Sequence, residues 1–328
     1  MSAFGSLEYA RIYEQATGYS ARLFVLAAEE ARLTYPFFIR PLRGLPFTAA
    51  GKAEWGDLLS PEYTGPVVQQ PGIAPEEFRA RFRACCVREK WIAEFAHLHP
   101  WQSCAACLDP ADVALDREIV YVDLTQPEER LWEASLSRTC RKNIHRTQHE
   151  KVRIFAATSL EHIGEFHRIY TQTMDRNHAL ERYYFPLTFF AAFFEQMPHN
   201  ARFVLAEHAG QIIAATLYLH DATDVYAYLG GADHAFQQVR PTNGLTWETI
   251  RWAQEQGKKR LILGGGYKPD DGIFRFKSGF SPLRASFQVY RHVHQPEANR
   301  VMCAAWEEFH GRTLAGGYFP AYRTVPEP

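Results

Sequence analysis

Three neighbouring stretches in the second half of the chain carry the strongest structural signals: LTWETIRWAQEQG at residues 245–257, RLILGGG at residues 260–266, and IFRFKSGF at residues 273–280. The first repeats apolar residues every three or four positions and ends at a glycine, which predicts an amphipathic helix. The second begins as a short apolar run of the kind that forms a buried strand. Together with a strand at residues 225–229, this helix and strand predict a strand–helix–strand crossover, and a loop begins at the triple glycine.

A three-strand meander precedes this crossover. Apolar runs at residues 202–207, 211–220 and 225–229 alternate with turn residues, as in consecutive antiparallel strands. A helix with a capping box at Thr158-Ser-Leu-Glu161 comes before them. This order of helix, hairpin strands, strand, helix, strand, loop and strand is typical of an α+β fold.

The first half of the chain repeats the plan more weakly. We expect strands at residues 22–28, 35–40, 91–97 and 118–124, a helix at residues 75–90, and a Pro/Gly-rich loop at residues 41–74. The repeat predicts two similar lobes. The expected boundaries are an N-terminal lobe at 1–124, a connecting basic helical region at 125–150, a C-terminal lobe at 151–295, and a helix and tail at 296–328.

Composition limits the class of protein. Hydrophobic residues make up 46% and charged residues 22% of the 328 residues, which supports a full core, and the net charge is only −1. A nucleic-acid partner would therefore need a local basic patch. The N-terminus does not resemble a signal peptide, the longest apolar stretch is too short to span a bilayer, and six cysteines suit a reducing compartment. We expect a soluble, cytoplasmic protein without membrane insertion.

One segment supplies such a patch. Six basic residues fall within 16 positions: Arg138, Arg141, Lys142, Arg146, Lys151 and Arg153. Several lie three or four apart and share one face of a helix. Such a face suits the phosphates of coenzyme A, tRNA or a nucleotide-linked precursor, and a merely solvated charged face is the alternative.

A second cluster is a candidate metal site. His97, His99, Cys104 and Cys107 form H-x-H-x4-C-x2-C. Structural zinc sites usually pair two well-separated knuckles, and this spacing is cramped. We expect packing in a turn and no metal.

The quoted stretches resemble the FemABX-like branch of the GNAT N-acyltransferase superfamily. The strongest part is IFRFKSGF after the triple glycine, and LSRTCRKNIHRTQH at residues 136–149 ranks second. YPFFIRP at 35–41 and LSPEYTGP at 59–66 extend the resemblance over residues 20–292. The resemblance implies an α+β or α/β fold of two tandem GNAT-like lobes with a cleft between them, each a mixed, mostly antiparallel sheet flanked by helices.

The resemblance also implies functional residues. The family's Phe-Lys pair falls on Phe276 and Lys277, and in the family that lysine lies near the reacting ester. A lysine shielded by phenylalanines could stabilise the oxyanion formed when an amine attacks an ester or thioester, so we expect Lys277 to be catalytic. We expect a further set to bind substrate or donor: Arg275, Phe276, Arg141, Lys142, Asn143, Arg146, Tyr228, Arg240, Gly264, Gly265 and Gly266. For the three glycines a purely structural loop is nearly as good an interpretation.

The identity of the acyl donor depends on residues 238–245, QVRPTNGL. Ordinary GNAT enzymes have R/Q-x-x-G-x-G/A here and bind pyrophosphate with helix N–H groups. This chain lacks one glycine, and Pro241 removes an N–H donor. We therefore expect aminoacyl-tRNA as a transient cosubstrate and no tightly bound cofactor, with the aminoacyl group moving to the amine of a peptide, cell-wall precursor or small molecule. The alternatives are an acyl-CoA-dependent acyltransferase and a non-catalytic module that binds nucleotides or tRNA.

Overall fold

A computed structural model describes residues 2–48, 51–52, 54–268 and 270–326. The helices are α1 Leu7–Thr17, α2 Pro75–Arg88, α3 Glu128–Arg130, α4 Arg138–His149, α5 Leu160–Arg176, α6 Leu187–Gln196, α7 Pro241–Glu255, α8 Gly272–Ser278 and α9 Pro296–His310. The strands are β1 Ser20–Ala28, β2 Ala31–Pro41, β3 Gly56–Leu59, β4 Val67–Gln70, β5 Trp91–His97, β6 Val113–Asp123, β7 Arg153–Ala156, β8 Ala201–His208, β9 Gln211–His220, β10 Asp224–Ala232, β11 Arg260–Gly264 and β12 Arg284–Val293. No helix in the described ranges is long and apolar enough to cross a bilayer.

The first of two compact units contains Ala3–Asp116 and Ser286–Pro328. Its strands run in the order β1-β2-β3-β5-β12, with β4 also on β2. Neighbours are antiparallel except β3 and β5, which are parallel and joined through α2. Helix α2 buries Phe78, Phe82 and Cys86 in one core with Tyr35 and Phe37.

The second unit is Arg117–Ala285. Its strands run in the order β6-β11-β10-β9-β8-β7. Neighbours are antiparallel except β10 and β11, which are parallel and joined through α7. Helix α7 buries Leu245, Trp247, Ile250 and Ala253, as its periodicity predicts. Both the meander and the crossover are confirmed.

Both units therefore repeat one pairing pattern: a parallel pair joined through a helix and flanked by antiparallel strands. In each unit, the strand beside the crossover is far in sequence from the strand with which it pairs. Strand β12 lies beside β5, and β6 lies beside β11. A mixed, mostly antiparallel sheet flanked by helices is confirmed in each unit. The contact-based units place α4 in the second unit and α9 in the first, so the lobe boundaries at residues 124, 150 and 295 stay a prediction.

Two regions expected to be loops contain regular structure. Residues 41–74 include β3 and β4. Strand β3 has only four residues, and Gly56, Asp57 and Leu58 are all buried, so it shows no alternation of apolar and polar positions. Asp57 is buried as an ion pair with Arg40 at 2.5 Å.

The stretch after the triple glycine also differs, because it contains α8. This helix has only seven residues, too few to show helical periodicity. Its start is set by Asp271, whose carboxylate accepts the N–H of Phe274 at 2.7 Å. Helix α5 is likewise capped by Ser159 and not by Thr158, since Ser159 accepts the N–H of His162.

Candidate active site

The parallel ladder between β10 and β11 ends early in the second unit. It joins only Asp224–Tyr226 to Arg260–Ile262, although β10 continues to Ala232. Tyr228 is the extra residue of a β-bulge, because Ala227 pairs with one residue of β9 and Leu229 with the next. The predicted site residue Tyr228 thus lies just beyond the last paired residues of β10 and β11.

The end of β10 is held against α5. A Cβ on Gly231 would lie 2.2 Å from Oγ1 of Thr173, so only glycine allows this approach. The hydroxyl of Thr173 accepts the N–H of Ala232 at 3.2 Å, and Arg176 donates to the carbonyl of Ala232 at 2.9 Å. These contacts place the Arg176 side chain at the end of the strand.

A cavity of about 280 Å³, the α7 N-terminal cavity, lies at this place. It is lined by the end of β10, the first turn of α7, and side chains of α4, α5 and α8. Three predicted residues line it, namely Asn143, Arg240 and Phe276. Sequence reasoning missed Arg176 and His234, which also line it. Neither belongs to a recognisable motif, so only the fold could bring them to this cavity.

The first turn of α7 is covered by α4. A Cβ on Gly244 would lie 2.4 Å from Cγ2 of Thr147, which shows that the glycine permits a close helix–helix contact. The Thr147 hydroxyl donates to the carbonyl of Arg240 at 2.8 Å. Arg240 has left-handed backbone angles, and Pro241 follows at the first helical position. Gly244 thus serves packing.

The triple glycine has a structural reason at each position. Gly264 has φ of +80°, a conformation that strains other residues. A Cβ on Gly265 would lie 2.7 Å from the Arg117 side chain, and one on Gly266 would lie 2.4 Å from the carboxylate of Asp271. Arg117 also donates to the carbonyl of Gly266 at 2.9 Å. The loop is therefore shaped by its neighbours, and its expected role in binding stays a prediction.

Lys277 is fastened to this loop. Its Nζ donates to the carbonyl of Gly265 at 2.7 Å, and the contact is partly buried. Phe280 is fully buried and packs edge-on against Phe276, with ring centroids 5.3 Å apart. Phe274 and Phe276 pack on the core of the second unit. Shielding of the Lys277 ammonium by these rings stays a prediction.

The charged neighbours of Lys277 on α8 stabilise the loop. Hydrogen bonds from backbone N–H groups, first that of Phe274, lower the pKa of Asp271, so this capping carboxylate is ionised at neutral pH. Arg275 is exposed and donates to the backbone carbonyl of Asp270 at 2.7 Å. Asp271 therefore acts as a helix cap, and Arg275 closes the turn before α8.

The basic helix α4 divides into different roles. Arg141 donates through Nη1 to the carbonyls of Trp132, Glu133 and Leu136 at 2.8–3.1 Å. These carbonyls end the π-helical turn Leu131–Ser135 just before α4. Arg141 thus caps this turn through one nitrogen, and its expected contact with phosphates stays a prediction.

The other polar residues of α4 point to two sides. Asn143 lines the α7 N-terminal cavity. Lys142 and Arg146 are exposed, and Arg146 forms an ion pair with Glu150 at 2.8 Å. Binding of phosphates by this exposed side stays a prediction.

The H-x-H-x4-C-x2-C residues lie in a turn of the first unit. Nδ1 of His99 accepts the backbone N–H groups of Trp101 and Gln102 at 3.1 and 3.2 Å. The sulfurs of Cys104 and Cys107 lie 3.2 Å apart. Across the described part of the chain, no group of three or more His, Cys, Asp or Glu side chains is arranged to hold a metal ion.

Comparison with known proteins bears on the family. The sequence profile of the acetyltransferase (GNAT) domain matches residues 134–278, the part from α4 to α8 that contains both the α7 N-terminal cavity and Lys277. A search of curated proteins found no significant match.

Solved structures share the fold over most of the chain. FemX has a TM-score of 0.67 at 10% identity, with 88% of this chain and 92% of FemX covered. The C-terminal domain of a candidate lysylphosphatidylglycerol synthetase from Agrobacterium fabrum has 0.56 at 13%, covering 88% and 89%. L-PGS from Bacillus licheniformis has 0.52 at 12%, covering 87% and 92%. Residues 134–278 thus form a GNAT domain, which makes the chain an acyltransferase, and most of the chain shares the fold of FemX.

Proposed function

We propose that this acyltransferase forms an amide bond by moving an aminoacyl group from aminoacyl-tRNA to an amine. The observation that carries the proposal is the covered first turn of α7. Pro241, Asn243 and Gly244 are buried in this turn, and α4 packs directly on Gly244.

The covered turn weighs against coenzyme A as donor. A GNAT enzyme that uses acyl-CoA offers backbone N–H groups of this turn to the pyrophosphate. Here Pro241 supplies no N–H at the first helical position. The space beside Gly244, which a pyrophosphate could otherwise approach, is filled by the side chain of Thr147. A donor held mainly by side chains fits the turn better.

Two arginines offer such side chains. Arg176 and Arg240 line the α7 N-terminal cavity, and both are exposed. Guanidinium groups bind phosphate oxygens in two-pronged hydrogen bonds. The sugar–phosphate backbone at the acceptor end of a tRNA carries such oxygens, and binding of this kind weakens as salt increases.

Lys277 would act on the reacting ester. The amine nitrogen attacks the ester carbonyl, the C–N bond forms, and the C–O bond to the ribose breaks. The amine loses one proton and the departing ribose oxygen gains one. An ammonium group near the loop at Gly265 stabilises the oxyanion and the departing oxygen more than the neutral ester.

The test supplies each donor separately to a panel of amines: free amino acids, a short peptide and a cell-wall peptide precursor. Products are identified by mass spectrometry. We expect a mass increase of one aminoacyl residue with charged tRNA and none with acetyl-CoA. Uncharged tRNA with free amino acid is the control.

A second donor has one observation in its favour, because the matching family profile is that of an acetyltransferase domain. Transfer from acetyl-CoA and not from charged tRNA would replace the first proposal with the second. Binding of tRNA without product from any amine would support the non-catalytic alternative.

A further inference from the structure

The second unit has another cavity, of about 560 Å³, at the opposite end of α7. We call it the α7 C-terminal cavity. It is lined by Phe194 and Pro198 near the end of α6, Arg202 on β8, His220 on β9 and Trp252 on α7. The other cavity touches α7 at residues 241–243, so the two are roughly 18 Å apart along a helix that rises 1.5 Å per residue. The α7 C-terminal cavity is thus separate from the first one.

Arg202 brings a positive charge to this cavity. Its guanidinium lies 4.3 Å from the centre of the Trp252 ring and is half-buried. Among the described residues it forms no ion pair or hydrogen bond, and its Nε is buried without an acceptor. Burial lowers its pKa, and Glu255 offsets this only in part. A half-buried cation without an acceptor is unfavourable, and a bound anion would relieve that cost.

His220 adds a neutral polar group. Its ring packs edge-on against Trp252, with centroids 5.1 Å apart. Burial first, and then the charges of Lys258 and Arg202, lower its pKa to about 4 against the opposing effect of Asp221, so the imidazole is neutral at pH 7. Its Nδ1 is buried and has no partner in the described ranges. A neutral imidazole can donate one hydrogen bond beside the guanidinium.

The surroundings favour one class of anion. The C-terminal end of α7 carries partial negative charge, which opposes a doubly charged phosphate. A single guanidinium matches a carboxylate, which accepts two parallel hydrogen bonds. Phe194, Pro198 and Ala157 form an apolar wall that can cover a hydrocarbon body. We propose that the α7 C-terminal cavity binds a small carboxylic acid with an aromatic or aliphatic body, held by Arg202.

Calorimetry at pH 7 tests the proposal with three probes: phenylacetate, benzylamine as an aromatic probe of similar size, and inorganic phosphate as an anion without a hydrocarbon body. We expect phenylacetate to bind and benzylamine, of opposite charge, not to bind. Arg202→Met should weaken phenylacetate binding about ten- to a hundredfold, because a charge-assisted hydrogen bond is lost. Arg251→Met removes a charge from the same helix outside the cavity and should leave affinity unchanged.

A second measurement does not depend on the folding of a variant. A carboxylate beside His220 favours the protonated ring, so phenylacetate should raise the pKa of His220 when its titration is followed by NMR. An unchanged titration, no binding of phenylacetate at millimolar concentration, tighter binding of phosphate, or full affinity in a folded Arg202→Met protein would each overturn the proposal. None of these experiments requires turnover, so they stand apart from the proposed aminoacyl transfer.

Discussion

Replacing Lys277 by methionine tests the proposed chemistry most directly. Methionine keeps an unbranched side chain of similar size and removes the ammonium, whose Nζ lies 2.7 Å from the carbonyl of Gly265. If this charge stabilises the developing oxyanion, its loss should lower kcat by about 10²–10³, or roughly 3–4 kcal/mol of transition-state stabilisation. KM should stay within a few-fold, because the interaction grows only as charge develops.

The same change has a smaller effect on stability. Losing a hydrogen bond between a charged donor and a partly buried carbonyl costs about 1.5–3 kcal/mol, which corresponds to a fall of several degrees in Tm. Assays should therefore run at least ten degrees below the Tm of the variant. Single-turnover transfer from charged tRNA, followed by product mass, separates the chemical step from binding.

Two matched variants complete the test. Lys277→Arg keeps the charge with a different shape and should recover part of kcat. Arg275→Met removes an exposed neighbouring cation that donates to the backbone carbonyl of Asp270, and we expect a much smaller loss. Normal kcat with a raised KM in Lys277→Met would make the lysine a docking residue. Loss of folding would make it a structural corner, and either result refutes the catalytic assignment.

Three further predictions concern packing, the basic helix and acid stability. Gly244→Ala should destabilise the protein by about 1–3 kcal/mol, because its methyl group meets α4. The control Gly164→Ala, whose methyl group has no atom within 4 Å, should stabilise α5 by up to about 1 kcal/mol. Equal Tm values for the two variants would contradict the packing argument. Arg141→Met should lower the free energy of unfolding by about 1.5–3 kcal/mol, because its hydrogen bonds to three carbonyls are lost. Lys142→Met should leave stability unchanged and flatten the salt dependence of KM. The reverse pattern would show that Arg141 binds the ligand. The pKa of His220 is about 4 in the fold and near 6.5 in the unfolded chain, so below pH 6.5 the unfolded chain takes up a proton that the folded chain does not. The free energy of unfolding should therefore fall by up to about 3 kcal/mol as the pH falls from 6.5 towards 4. Denaturant titrations of His220→Gln should lack this loss.

Local signals in the sequence were sufficient for most helices and strands. Strand β9 begins and ends at the expected residues, and α7 differs from expectation by only a few residues. Turn residues and apolar periodicity act within a few positions of the chain, so they can be read without knowledge of the fold. Strands β3 and β4 and helix α8 were missed because they are too short to show a period.

Sequence motifs also indicated part of the candidate site. The resemblance around residues 273–280 pointed to Phe276 and Lys277, and the degenerate loop before α7 pointed to Arg240. Phe276 and Arg240 line one cavity. A motif identifies residue types and spacing, and these are sufficient to name a side chain but not its contacts.

The sequence by itself therefore determined most of the elements, their order and the family resemblance. Only the tertiary structure decided which strands pair when they are far apart in the sequence. Strand β6 pairs with β11, and β5 pairs with β12, although many elements lie between the two members of each pair. It also decided that Arg176 lines the α7 N-terminal cavity, that Arg141 caps a turn, and that Gly244 permits a helix contact. The physical reason is that these roles depend on distances between residues far apart in the chain, which are set by the packing of the whole core and not by local propensity.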